Sequence, residues 1–425
     1  MIKNFYGLIW IILSQVILLI VNLLLLRILT QQLTVADYGF YALCLTIVLF
    51  LRQVTYDPFS MVIAKEASVR SSRGDKPTTE FLIAKYAIDK LSLFFIIAVI
   101  FIFFFGYAYL RVNNYAIALF ICSLYLLSNG AQGLYINILN SIRERKVAAI
   151  FSIIDSLTKL ILVLTCIALI GDQANDILGS IAIGASVTFW MMRHYFNKRF
   201  IKEYSTNGIN SDFYKFFSMS IPIFFPSILN SLKSVGDRWI LASLIGLDEL
   251  AAYSVLLQIG YFPIILILGV VQTYIAPKIY QLCKNENSAY LRSFVIKLIL
   301  ATFLLSVLAT LIAYTSSDIV FKVFVGENYV NYSVFLPIFA LAAAISAGAA
   351  IMQNVIFGYF DTRISSIIIM ITNIAGILIS LILTYLYKFN GAIIGLVLIG
   401  LMSFLIFSIA IISKLPVKHT HDRAA

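Results

Sequence analysis

Between residues 8 and 413 the chain runs again and again through stretches of about 20 apolar residues, the length of helix that crosses the hydrocarbon of a bilayer. Twelve such runs are read, at 8–29, 39–63, 82–109, 115–141, 147–170, 177–196, 216–243, 250–277, 294–314, 333–358, 364–386 and 391–413. Lipid offers backbone polar groups no partner outside their own helix or a closed barrel, and runs of this length select the helix. The pattern predicts an all-α integral membrane protein of twelve transmembrane helices. Only 12% of the residues are charged, about half the share in a soluble domain. The first run is longer than the apolar region of a signal peptide and no small-residue cleavage site trails it, so it is expected to stay as the first span.

A net charge of +11 raises nucleic acid as a partner, but the bases gather in short segments between apolar runs, where they act as orientation signals. With the N-terminus in the cytoplasm, twenty bases fall on that side. They are Lys3, then Lys65, Arg70, Arg73 and Lys76, then three in RERK at 143–146, five in 193–215, three in 278–292, Arg363, and finally Lys414, Lys418 and Arg423. Only Arg111, Lys322 and Lys388 fall opposite. This asymmetry predicts that both termini are cytoplasmic and that the spans are even in number. No nucleic acid is expected as a partner. The polar stretch 197–215 divides the chain into a six-helix bundle at 1–196, a cytoplasmic linker, and a second six-helix bundle with a short tail at 216–425. A shift of 217 sets 134–154 against 351–371 and puts Asn137 on Asn354 and Lys146 on Arg363, a pattern of two halves in one orientation.

Near the centre lies SIPIFFPSILNSLKSVGDRWILASLIG, from 220, apolar enough to span yet carrying Pro222, Pro226, Lys233, Asp237 and Arg238. Two prolines four residues apart remove backbone donors and predict a bend or break. Across all spans the out-of-place charges are Arg27, Arg52, Asp57, Lys85, Asp89, Lys90, Asp155, Lys159, Lys233, Asp237 and Arg238. Left facing lipid at the membrane centre they would cost about 30 kcal/mol, more than the roughly 5–15 kcal/mol by which proteins are stable. Snorkelling relieves those near helix ends, Arg27, Lys85 and Arg238; the rest must pair or line water. Asp155 with Lys159, and Lys233 with Asp237, stand four apart and can pair within one helix. Seven bases against four acids leave positive charge over, and an uncompensated positive cavity selects an anion. The candidate anion-binding residues are therefore Arg27, Arg52, Lys159, Lys233 and Arg238. The candidates for ion coupling are Asp57, Asp89, Asp155 and Asp237, and Asp57 is the foremost proton carrier unless Arg52, five residues back, reaches it. Tyr56, Tyr125, Tyr135 and Tyr261 fall deep within spans and either pack the core or stack on sugar rings. The in-span amides, Asn129 and Asn137 among them, either bind neighbouring helices or meet hydroxyls.

Cys44, Cys122, Cys166 and Cys283 show no C-x-x-C spacing, and no histidine cluster, phosphate-binding glycine loop or nucleophile motif occurs. Neither a metal, a cofactor nor an enzymatic activity is expected.

LLLLRILTQQLTVADYGFYAL at 23–43 and DRWILASLIGLDELAAYSVLLQI at 237–259 resemble the opening and the seventh and eighth spans of Wzx-type oligosaccharide flippases. Those proteins form part of the multidrug, oligosaccharidyl-lipid and polysaccharide exporter superfamily. The resemblance implies a MATE-like exporter fold of two six-helix bundles around a cavity that opens alternately to each side. It implies an undecaprenyl-diphosphate-linked oligosaccharide, for O-antigen or another surface polysaccharide, as the cargo carried across the bacterial inner membrane. Membrane lipids, a glycan polymerase, a chain-length regulator, and protons or sodium ions are the further partners to be considered. Arg27 and Arg238 sit where this family has bases, and Arg52 resembles the cavity arginine of the related peptidoglycan-precursor flippases. The first span carries Asn22 and no acid, unlike many antiporters of the superfamily. The alternative reading is a cation-coupled multidrug or small-solute exporter, which calls for acids rather than bases in the cavity; a third is a membrane scaffold in a glycan-assembly complex. The orientation is checked by reporter fusions. Alkaline phosphatase should be active when fused after residues 111, 322 and 388 and inactive after 146, 199 and 363, and activity in the second set would reverse the topology.

Overall fold

The computed structural model describes residues 2–72, 79–90, 113–200, 209–284, 288–360 and 362–414, and among these it holds helices and no strand. The C-terminal part of the third expected span, 91–109, and the basic tail from 415 lie outside the described residues. The helices are α1 (Ile2–Gln32), α2 (Val35–Thr55), α3 (Asp57–Ser72), α4 (79–90), α5 (Asn113–Ser141), α6 (Arg145–Leu169) and α7 (Ala174–Phe200). They continue with α8 (Ile209–Leu244), α9 (Leu247–Leu256), a π-helical turn (Leu257–Tyr261), α10 (Phe262–Lys284), α11 (Ser288–Phe324), a 3-10 segment (Glu327–Phe335), α12 (Leu336–Tyr359) and α13 (Thr362–Lys414). Among the described residues eight helical stretches are long and apolar enough to cross a membrane, so the chain is a multi-pass membrane protein. One of them, Ile364–Ser413, is 50 residues long and is interrupted at Lys388, whose φ of 53° and ψ of −130° are not helical. The interruption falls between the two runs read at 364–386 and 391–413.

The faces are turned out as lipid requires. Along α1 the apolar Ile9, Ile12, Leu13, Val16, Ile20 and Leu24 are exposed at intervals of three and four, while Val21, Leu26 and Leu29 are buried. In α11 Leu300, Phe303, Leu304, Val307, Leu308 and Leu311 repeat the pattern. Exposed apolar stripes of this length are solvated by acyl chains rather than water.

Two compact units divide the chain, Met1–Val235 and Gly236–Ala425. In the first, α4, α5 and α7 meet in an aromatic stack: Phe81 lies 4.8 Å from Phe196 and 4.4 Å from Phe200, and Tyr135 lies 4.5 Å from Phe196, centroid to centroid. Tyr135 is thus a fully buried core residue and not a sugar platform. Tyr56 is equally buried. It marks a break between α2 and α3, because Pro58 has no N–H for the carbonyl of Val54. Its ring fills a notch on α5: a Cβ on Gly130 would come within 2.5 Å of it. Of the bend or break expected at Pro222 and Pro226, the break does not occur, since α8 stays helical through both. Neighbouring turns supply enough backbone bonding to carry two missing donors.

The second unit is centred on α12, whose Ala342, Ala343, Ala344, Ala347 and Ala349 are buried. Small side chains let helix backbones approach where no hydrophobic force separates protein from lipid. A cluster of Ile279, Val295, Met352, Val355, Ile356, Phe407 and Ile411 joins α10, α11, α12 and α13.

At the start of α4, ahead of the third span, Glu80 is buried and its Oε1 lies 2.8 Å from Arg70 Nε. Its Oε2 has no hydrogen-bond partner. Burial raises the Glu80 carboxyl above the usual carboxylate range, opposed by its own backbone N–H and Arg70 and assisted by Glu66 and Asp212. A raised group holds its proton more tightly in the folded chain. Its stabilising contribution is full below the ordinary glutamate value of 4.5 and is lost as pH rises through the raised one. Glu80→Gln should therefore unfold no earlier than the parent at pH 7 in detergent. It should also lack the rise in melting temperature expected of the parent as pH falls from 7 toward 4.5. A variant that keeps that rise shows that Glu80 is not its source.

Candidate functional site

Arg52 sits in the last turn of α2, ahead of the break at Tyr56. Its Nη1 donates to Asn129 Oδ1 of α5 at 2.8 Å, and its Nε lies 3.8 Å from Asp57 Oδ1. Arg52 therefore does reach Asp57, but beyond hydrogen-bond length, and both side chains are about one-third exposed (32% and 33%). The direct partner of the guanidinium is a neutral amide, so its charge is only loosely compensated. About two turns further along α5, Asn137 Nδ2 donates to Ser60 Oγ at 2.8 Å, so α5 holds the chain on both sides of the break.

Lys159 of α6 is arranged differently. Its Nζ donates to Asp155 Oδ2 at 2.6 Å and lies 5.2 Å from the centre of the Tyr125 ring. The pair is largely enclosed, at 14% and 16% exposure, and Asp155 Oδ1 has no hydrogen-bond partner. Tyr125 and Asn129 are one turn apart on one face of α5, a rise of about 6 Å. That face gathers two of the sequence candidates, one cation tightly paired and one loosely. Next to Lys233 on α8, Ser234 Oγ donates to Gln53 Oε1, the neighbour of Arg52 in sequence, at 3.3 Å. Arg27 is met within its own helix, where the Gln31 amide oxygen, turned toward it, accepts from Nε at 3.0 Å and Nη2 at 2.8 Å. Asp89 is held at 2.7 Å by Arg193 of α7.

Asp237 and Arg238 belong to the second unit. Asp237 is buried; its Oδ2 accepts from Tyr253 Oη at 2.7 Å and its Oδ1 from the Arg238 backbone N–H at 2.8 Å. These bonds at Asp237 are not the i, i+4 bond to Lys233 that spacing allows. The Arg238 guanidinium lies over the Phe262 ring at 5.6 Å, and its Nε is buried without a hydrogen-bond partner. Sequence reasoning singled out neither Arg193, Tyr253 nor Phe262, because each meets its partner from another helix and no local spacing records that. Asn129 was legible as an in-span amide, though its partner was not. Among the described residues no group of histidine, cysteine and carboxylate side chains is placed to hold a metal ion.

Known proteins give a consistent comparison. The family model for "Polysaccharide biosynthesis protein" matches residues 5–283. No curated protein matches the chain. Among solved structures, the lipid II flippase MurJ in an inward closed conformation is similar at TM-score 0.73 and 18% identity, covering 97% of this chain and 88% of that one. The MATE multidrug transporter DinF-BH aligns at TM-score 0.67 and 14% identity, over 97% and 94% of the two chains. A superfamily transporter from Pyrococcus furiosus, described as having a binding pocket of reversed polarity, aligns at TM-score 0.57 and 12% identity, over 97% and 95%. At these identities the structural matches establish a shared fold, that of the multidrug, oligosaccharidyl-lipid and polysaccharide exporters.

The Asp155–Lys159 pair carries its own prediction. Removing one member of an enclosed ion pair strands the other charge, which costs about 3–5 kcal/mol, whereas replacing both with apolar side chains is close to neutral. Asp155→Leu should destabilise the purified protein strongly and Asp155→Leu with Lys159→Met should restore it, as read by thermal unfolding. If the double variant transports as the parent does, Lys159 contacts no substrate.

Proposed function

This chain belongs to the polysaccharide biosynthesis protein family, and from that premise we infer that it flips a lipid-linked oligosaccharide across the bacterial inner membrane by alternating access. The cargo is an undecaprenyl-diphosphate-linked repeat unit used for O-antigen or another surface polysaccharide. Crossing hydrocarbon requires that a diphosphate and many hydroxyls be shielded, while the polyprenyl tail needs no shielding at all. The observation that supports this reading most directly is Arg52: a guanidinium inside a membrane helix, positioned by a neutral amide and answered by a carboxylate only at 3.8 Å. Its planar fork suits two phosphate oxygens at once.

In the first unit Arg27, Arg52, Lys159 and Lys233 are the bases offered to the diphosphate, with Arg52 foremost because Lys159 is already paired. In the second unit Arg238 has that role. Asp57 is the coupling carboxylate of this reading, since an anion drawn to Arg52 competes with it. When phosphate oxygens take the guanidinium, Asp57 loses the cation that faces it, so cargo and carboxylate compete for one partner. Asp89, Asp155 and Asp237 have nearer partners and serve coupling less readily. The two six-helix halves, 1–196 and 216–425 with 197–215 between them, provide the moving parts, and a glycan polymerase and chain-length regulator receive the product.

The decisive experiment places variants in a strain whose surface glycan depends on this chain. Arg52→Ala should reduce glycan display at least tenfold, Arg52→Lys should recover part of it, and Arg52→Ala with Arg238→Ala should abolish it, at unchanged membrane abundance. Full display by the well-expressed double variant rejects the reading. Protection of an exporter-deficient strain from cationic drugs, without any glycan phenotype, would establish the multidrug alternative instead.

A further inference from the structure

Phe262 and Tyr253 stand nine residues apart in sequence, yet they hold neighbouring residues of α8: Tyr253 bonds Asp237 and Phe262 covers Arg238. In a regular α-helix nine residues amount to roughly 180° of rotation, which would put them on opposite faces. The π-helical turn at Leu257–Tyr261 removes the difficulty. There the Phe262 N–H bonds Leu257 O, five residues back, and the turn takes up one residue more than an α-turn would. The two side chains are thereby brought to roughly 80° apart, close enough to face one helix. The cause is in the sequence, since Pro263 has no N–H and the regular ladder fails just there. Packing holds the turn in place. Gly260 meets α12 so closely that a Cβ would come within 2.9 Å of Phe339, and Tyr253 packs edge-on against the same Phe339.

Aromatic contact uses only the face of a guanidinium. The donors lie in its plane, and in Arg238 the Nε donor is buried without an acceptor. Tyr253 meanwhile keeps the adjacent carboxylate occupied, so Asp237 is turned away from being that acceptor. We propose that Phe262 is a positioning residue for Arg238, and that with the π-turn it sets the guanidinium plane so that its edge receives a phosphate-type oxyanion. The proposal rests on the flippase reading for the identity of that oxyanion. It adds a residue with no charge of its own to the recognition of the headgroup.

The test uses purified full-length protein and two probes, farnesyl diphosphate and inorganic pyrophosphate, which separate a lipid-linked headgroup from a free anion. The loss of a cation–π contact corresponds to about a tenfold weaker affinity. Phe262→Leu should weaken farnesyl diphosphate binding by that factor, and Phe262→Trp should restore it. In an Arg238→Ala background Phe262→Leu should have no further effect. Deleting Ile259, which removes the extra residue but keeps the relation of Tyr253 to Phe262, should leave binding within twofold of the parent. Equal binding by Phe262→Leu and the parent, or an undiminished Phe262→Leu effect without Arg238, overturns the proposal while leaving the flippase reading intact. Binding of pyrophosphate alone assigns the edge to a free anion and overturns the lipid-linked part. A parent that binds neither probe rejects the flippase reading and this inference together.

Discussion

A charged side chain in hydrocarbon must find a partner, and that requirement decides how the helices of the first unit meet. Arg52 binds α2 to α5 through Asn129, and Asp89 binds α4 to α7 through Arg193. Asp155 and Lys159 satisfy each other within α6 and then offer a cation to Tyr125 on α5. The polar contacts continue without charge where Ser128 meets Ser186 and Gln132 donates to the Ala185 carbonyl, both joining α5 to α7. Apolar packing alone cannot choose among helix pairings in lipid, because a lipid tail is as good a neighbour as a leucine. These few polar bonds make the choice, and α5 takes part in most of them.

The partners also explain how much could be read beforehand. Where described, the runs of apolar residues fall on helical segments, although α3, α8, α10 and α11 extend well beyond them, and the interruption at Lys388 falls between two runs. The Asp155–Lys159 pair was legible because a helix repeats every 3.6 residues and four positions suffice to bring charges together. Nothing comparable announces that Asp89 meets Arg193, or that Tyr253 takes Asp237 in place of Lys233. Those depend on which helices lie side by side. The prolines divide into two kinds for a related reason. Both positions in α8 tolerate a missing donor, whereas Pro58 and Pro263 coincide with a break and a π-turn. Residue type alone does not distinguish a proline that interrupts a helix from one that its neighbours accommodate.

Within the shared fold, the way Arg52 is held decides what its guanidinium can still bind. An arginine secured by an amide keeps its affinity for anions, and the same arginine in a tight carboxylate pair would have lost most of it. Asn129 thus matters as much for what it lacks as for what it contacts. A carboxylate at that position would fix the guanidinium equally well and leave nothing for a phosphate to neutralise.

The spacing of these partners along the chain has a consequence for biosynthesis. Lys159 is made within a single turn of Asp155, so α6 leaves the ribosome with its charges already answered. Arg52 must wait for Asn129, 77 residues later, and Asp89 for Arg193, 104 residues later. At about 5–20 residues per second these partners emerge roughly 4–20 s after the helices that need them. Through that interval the cross-helix partners of Arg52 and Asp89 have not yet been made. The final placement of α2 and α4 in the first unit is thus a joint event with α5 and α7, which supply those partners.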